Sequence, residues 1–209
     1  MKRLRALFGL AFLAVLSGCA TMSSEECATA DWSSIGFEDG ASGRPADRLG
    51  DHRKACAKHG YAPDLVAYRQ GREQGLVDYC RPGRGFSAGE SGASYHGVCP
   101  TDLEEDFLSG YRIGHHLHTL RSAISDKSSD IHRNERNIKK LQEEVSEREE
   151  ALAGNELSAD ERRQLLDEIK QRSERMGRLK ADIDLLVVQR SDLRAELRQL
   201  EESVPDFNY

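Results

Sequence analysis

Apolar residues recur every seven positions at Leu117, Ile124, Ile131, Ile138, Val145 and Leu152, with Leu120 and Leu141 adding second positions to the same stripe. A heptad pattern kept over this length predicts an α-helix with one apolar seam, of the kind a coiled coil buries. The helix is expected from about His116 to Ala153, where Gly154 and Asn155 end it. Ser158, followed three residues later by Glu161, forms a capping box that starts a second helix. In that helix Leu165, Ile169, Arg172, Met176, Leu179, Ile183, Leu186, Arg190, Leu193, Leu197 and Leu200 step alternately by four and three, which makes a second seam.

A short turn between helices of similar length predicts an antiparallel hairpin, roughly 55 to 60 Å long at 1.5 Å per residue. With the turn centred between Ser158 and Ala159, Leu117 faces Leu200, Ile124 faces Leu193, Ile131 faces Leu186, Ile138 faces Leu179 and Leu152 faces Leu165. Every pair is apolar, an agreement that neither helix imposes on the other. The same register sets Lys127 against Arg190, two cations that weaken the seam unless Asp126, Asp130 or an outside carboxylate compensates. Beside the seam, Leu185, Val187 and Val188 form an apolar strip that the hairpin alone does not cover. A third helix, a second copy of the chain or a protein partner would cover it, so these three are candidate partner-binding residues.

At the other end of the chain, Lys2, Arg3 and Arg5 precede an apolar run from Ala6 to Leu16, the charged-then-apolar order of a signal peptide. The run is about half the roughly 20 residues needed to span a bilayer. It closes on Leu16, Ser17, Gly18 and Cys19, which resemble the lipobox of bacterial lipoproteins. That resemblance implies cleavage after Gly18 and attachment of diacylglycerol and a further acyl chain such as palmitate to Cys19. Three acyl chains exceed the two-signal requirement for stable anchoring. Ala20, rather than an acidic residue, follows Cys19, and by resemblance to bacterial sorting rules this implies the outer membrane, with the protein facing the periplasm. Removing Lys2, Arg3 and Arg5 with the signal shifts the formal charge from −6 to −9. Such an acidic protein is a poor general ligand for nucleic acid or for anionic lipid headgroups.

Composition changes near Thr101. Residues from 20 to about 114 are rich in Gly, aromatics and Cys, whereas those from about 116 to 202 hold no Cys, Pro, Phe, Tyr or Trp. The reading is a mainly α protein, with a small disulfide-bonded, Gly-rich helical head followed by the hairpin. The parts are a signal peptide (1–18), a lipidated linker (19–26), the head (27–114), the hairpin (115–202) and a tail (203–209) whose Phe207 and Tyr209 are expected to pack on the head.

Cys27, Cys56, Cys80 and Cys99 suit two disulfides in an oxidising compartment. Three connectivities are open. Cys27 with Cys56 and Cys80 with Cys99 is favoured because each closes a modest loop, worth roughly 3 to 4 kcal/mol in a segment with a marginal core. His52, His59 and His96 lie near these cysteines, but the tight ligand spacing of structural zinc is missing.

A degenerate repeat also runs through the head. Trp32, Tyr68 and Phe107 each precede two glycines four apart: Gly36 and Gly40, Gly71 and Gly75, Gly110 and Gly114. In a helix each pair shares one face and lets a neighbouring backbone come close, which offsets the cost of helical glycine. Gly85, Phe86, Ser87, Ala88 and Gly89 match the string of a hydrolase nucleophile elbow, but the flanks lack its strand and helix, so the segment is expected to be a glycine-rich loop. His115, His116 and His118 are read as solvated residues at the head-to-hairpin junction, because nothing nearby completes a metal site.

Trp32 with Gly36, Asp39 and Gly40, Tyr68 with Gly71, Gly75 and Leu76, Tyr79-Cys80, Tyr95, Cys99-Pro100, and Phe107 with Gly110 and Gly114 together resemble an uncharacterised family of small proteobacterial lipoproteins, DUF2799-like, over the Cys-rich part only. The resemblance implies an envelope location and paired cysteines, and brings no known activity. Three functions are weighed. The favoured one is a non-enzymatic adaptor that uses no cofactor and presents its stalk to an envelope protein or to itself. The alternative is a cell-wall binder or regulator of a peptidoglycan-active enzyme, for which Trp32, Tyr68 and Tyr95 are the glycan-facing candidates. An enzyme is the third, and no credible nucleophile, carboxylate pair or metal cluster supports it.

Overall fold

Seven helices, and no strand, make up residues 22–205 apart from position 155, the part of the chain that the computed structural model describes. They are α1 (Ser24–Thr29), α2 (Trp32–Ala41), α3 (Arg48–Ala57), α4 (Leu65–Tyr79), α5 (Pro82–Glu90), α6 (Thr101–Leu152) and α7 (Ala159–Ser203). The signal peptide, Cys19, Phe207 and Tyr209 lie outside the described residues, as does Asn155. Most starts are written in local chemistry. Ser23 and Glu26 form a capping box on α1, Asp31 and Asp64 cap α2 and α4, and Pro82 opens α5 at its first turn, where no amide donor is needed.

The chain divides into two compact units. One runs through Cys80 and adds His96–Leu103; the other joins Arg81–Tyr95 to the chain from Glu104 on. In the first, Cys27, Trp32, Cys56 and Tyr68 form the core, with Met22, Ala30, Ile35, Leu49 and Ala67 packed against it. Cys27 bonds Cys56 and Cys80 bonds Cys99, the favoured pairing, and all four are buried.

Two sequence expectations need correction. The helix expected from about His116 starts at Thr101, because the segment around Phe107 is helical and buried against other elements before the heptads begin. Residues 85–89 are not a loop but lie in α5. Burial of Gly85 and Gly89 outweighs their poor helix propensity.

The hairpin follows its heptads. The Ser158–Glu161 capping box is formed, and each predicted seam position of α7 is partly buried, as are Glu168 and Gln189, while the rest of the helix is exposed. Leu117, Leu120, Ile131 and Leu141 are the buried apolar positions of α6 along this stretch. Contacts across the seam follow the predicted register within a residue in its outer part. Arg148 Nε donates to Glu168 at 2.6 Å, and Arg172 Nε donates to Glu144 at 2.8 Å. Arg190 donates to the Ser128 hydroxyl at 3.3 Å, so the cation set against Lys127 is taken up by a neutral oxygen rather than a carboxylate.

The Arg172 and Arg148 hydrogen bonds hold the Glu144 and Glu168 carboxyls below the ordinary glutamate value of 4.5. A carboxyl lowered by folding adds stability that is complete above its unfolded value and lost as pH falls through its folded value. The melting temperature of α-helical signal in circular dichroism is therefore expected to drop between about pH 5 and pH 3. A Glu144→Gln, Glu168→Gln double variant should lose less across that window.

Candidate functional site: crossed helix pairs, a polar latch and an exposed strip

Four glycines let α2 and α4 touch backbone to backbone. A Cβ on Gly36 or Gly40 would strike the carbonyl of Tyr68 or Arg72, and one on Gly71 or Gly75 would strike that of Ser33 or Phe37. The contact is reciprocal, so no alanine fits on either side. In the other unit α5 and α6 repeat the arrangement: Gly85 and Gly89 meet the Phe107 and Tyr111 carbonyls, and Gly110 and Gly114 meet those of Pro82 and Phe86.

The true repeat is therefore a pair of helices, used twice. Gly36-Phe37, Gly40 and Ser42-Gly43 recur as Gly85-Phe86, Gly89 and Ser91-Gly92, with identical spacing. Gly43 and Gly92 both have positive φ, 63° and 75°. Each leaves room for a ring four residues beyond the second glycine of the partner helix, Tyr79 in one pair and His118 in the other. Three of the four glycine pairs carry an aromatic lead that betrays them in sequence. The fourth was legible through the shared G-F-x-x-G-x-S-G spacing of residues 36–43 and 85–92.

The pairs differ at one place. In the first, the Asp39 carboxylate accepts a hydrogen bond from the Tyr68 hydroxyl at 2.9 Å and stands 2.9 Å from His52 Nε2, with Arg48 Nε at 4.0 Å. The Trp32 and Tyr68 rings meet His52 edge-on, each at 6.1 Å. Burial, then the hydrogen bond to Asp39, pushes the Tyr68 phenol well above its ordinary value, so it remains a donor. In the second pair Ala88 stands where Asp39 does and Phe107 where Tyr68 does, with the Tyr95 ring 4.8 Å from Phe107. This cluster, which sequence reading missed, latches α3 onto the α2–α4 pair. No local pattern announces it, since its members meet only through the fold.

The remaining sites are quickly placed. Ser87 is exposed on α5 and donates to the Gly83 carbonyl within its own helix. His115 lies 5.7 Å from the Tyr111 ring, His116 pairs with Glu196 at 3.2 Å, and His118 Nδ1 is 3.2 Å from the Glu90 carbonyl. Among the described residues no three His, Cys, Asp or Glu side chains are grouped to hold a metal ion. No described helix is long and apolar enough to cross a membrane. On α7, Leu185, Val187 and Val188 are 57%, 42% and 57% exposed.

Residues 31–116 match the DUF2799 family, described as a protein of unknown function. The DUF2799 match takes in both crossed helix pairs, Asp39, His52, Tyr68 and three of the four disulfide cysteines, and stops where the hairpin heptads begin. No curated protein and no solved structure matches the chain.

The backbone contacts make opposite predictions for chemically identical changes. Gly71→Ala should lower the free energy of unfolding by about 3 kcal/mol in urea titration, because its methyl group has only backbone to displace. Gly177→Ala, on α7 with nothing near its Cβ, should raise it by about 0.5 to 1 kcal/mol through helix propensity alone.

Proposed function

We propose that this protein is a lipid-anchored envelope lipoprotein that works without catalysis as an adaptor: acyl groups on Cys19 hold it at the outer membrane, facing the periplasm, and its hairpin offers a helical face to a protein partner. The observation that carries this reading is exposed apolar surface on α7, where Leu185 and Val188 share one side three residues apart and Val187 flanks the seam on the other. Single exposed apolar residues are ordinary. Leu185, Val187 and Val188 instead fall within one turn of a helix whose other outward positions are mostly charged. Apolar surface kept out of the seam in a two-helix hairpin is available only to something outside that hairpin. Charges around it, the exposed Asp182, Asp184 and Asp192 among them, would select the partner's polar rim. The N-terminal support is chemical: cationic, apolar and small residues stand in lipobox order before Cys19.

A photocrosslinker at Val188 in the native host tests the reading, with Glu149 as an exposed control on α6. A Val188 product containing a different envelope protein, absent at Glu149, is the expected result. A product containing only this chain would turn the strip into a self-association seam and remove the adaptor reading.

A further inference from the structure

The connection between α3 and α4, with the first turn of α4, carries apolar and cationic side chains turned to solvent. Tyr61 and Leu65 are each 41% exposed and Val66 is 65% exposed. Lys58 and His59 beside them are exposed, and the Lys54 side chain, one turn earlier, is 79% exposed. The segment is held firmly. Pro63 is buried within it, and the Asp64 carboxylate accepts from the Val66 and Ala67 amides at 3.0 Å, which sets Leu65 and Val66 in the first turn of α4.

The start of the described chain arrives at the same place. The Cys27–Cys56 disulfide brings α1 to the last turn of α3, with the two Cα atoms 5.5 Å apart, and Met22 packs on the core cluster that contains Cys56. The Cys56 carbonyl in turn accepts from the amides of His59 at 3.0 Å and Tyr61 at 3.1 Å. Only three peptide steps separate Met22 from Cys19, at most about 11 Å of extended chain.

We propose that the α3–α4 segment, Lys58–Val66, rests in the headgroup and acyl boundary of the bilayer that holds the Cys19 anchor. The inference depends on Cys19 being lipidated. Given that anchor, a tether of three peptide steps keeps the Cys56 end of this unit at the membrane surface, and Lys58–Val66 is tied to Cys56. Its side chains suit that depth: Tyr61 is amphipathic, the lysines can extend to headgroups, and Leu65 and Val66 reach the acyl boundary. So small an apolar surface would not hold a free protein on lipid, but the tether makes the contact intramolecular and supplies a high effective concentration.

The test uses the full acylated protein in vesicles of phosphatidylethanolamine and phosphatidylglycerol, with or without bromine on the acyl chains. Trp32 is buried and gives the baseline emission. A Val66→Trp variant adds a probe at the exposed position, and Tyr61→Trp serves if the first does not fold. Emission added by the new tryptophan should fall at least roughly two-fold in brominated vesicles, as expected of a ring about 5–10 Å into the boundary. Equal added emission in both vesicle types, from protein that floats with them, would overturn the docking and leave the anchor standing. Protein that carries no acyl mass on Cys19 and does not float would overturn the anchor and the docking together.

Discussion

Backbone contact through glycine is the constraint on which the rest of the two units depends. With four glycines in each crossing, the helices approach until carbonyls occupy the space of missing methyl groups. So close an approach brings dispersion contacts along both backbones, but each glycine in a helix interior costs roughly 1 kcal/mol relative to alanine. A small unit cannot offset several such costs from its core alone. The disulfides are then part of the same solution, because Cys27–Cys56 and Cys80–Cys99 limit the freedom of the unfolded chain where helix propensity is weakest.

The hairpin is stabilised differently. It holds no disulfide and no buried residue on α7, and its seam is only half covered. Leu, Ile and Val at heptad spacing provide the burial, while Arg148, Arg172, Glu144 and Glu168 bridge the two helices at its outer part. Ion pairs this exposed contribute little singly, and their value here lies in fixing which residues face each other. Toward the other end Arg121 bonds both Glu90 on α5 and Glu201 on α7, which ties the base of the hairpin to the crossed pair of its own unit.

Legibility tracked how local each cause was. Heptads and capping boxes are properties of neighbouring residues, so the hairpin, its turn at Ser158 and its register could be read directly. Disulfide pairing followed from loop length. The α5 helix was lost because Gly83, Gly85 and Gly89 read locally as a loop, and burial of Gly85 and Gly89 outweighs that, with Pro82 at the first turn the one local helix signal. At Arg190 periodicity placed the side chain in the seam beside Lys127, but its actual acceptor, the Ser128 hydroxyl, is invisible to an apolar pattern. Asp39 and His52 were beyond reach for a stricter reason, since nothing in either neighbourhood implies the other.

That last pair explains how two copies of one architecture came to differ. Between α5 and α6 the chain runs only from Ser91 to Pro100, and Tyr95 from this short connection covers the Phe107 ring, so an apolar residue suffices there. Between α2 and α4 the connection runs from Ser42 to Asp64 and includes α3, which sets His52 over the corresponding ring and Arg48 near Asp39. A polar helix laid on that surface demands a polar partner for His52, because an unmatched imidazole in a half-buried site is costly. Asp39 supplies one to His52 at 2.9 Å and is itself held by the Tyr68 hydroxyl, where Ala88 and Phe107 would supply neither, while Arg48 Nε, 4.0 Å from Asp39, is buried without a hydrogen-bond partner. The longer connection and the polar cluster thus belong together, and through Cys56 the same α3 also holds the segment Lys58–Val66 beside α1.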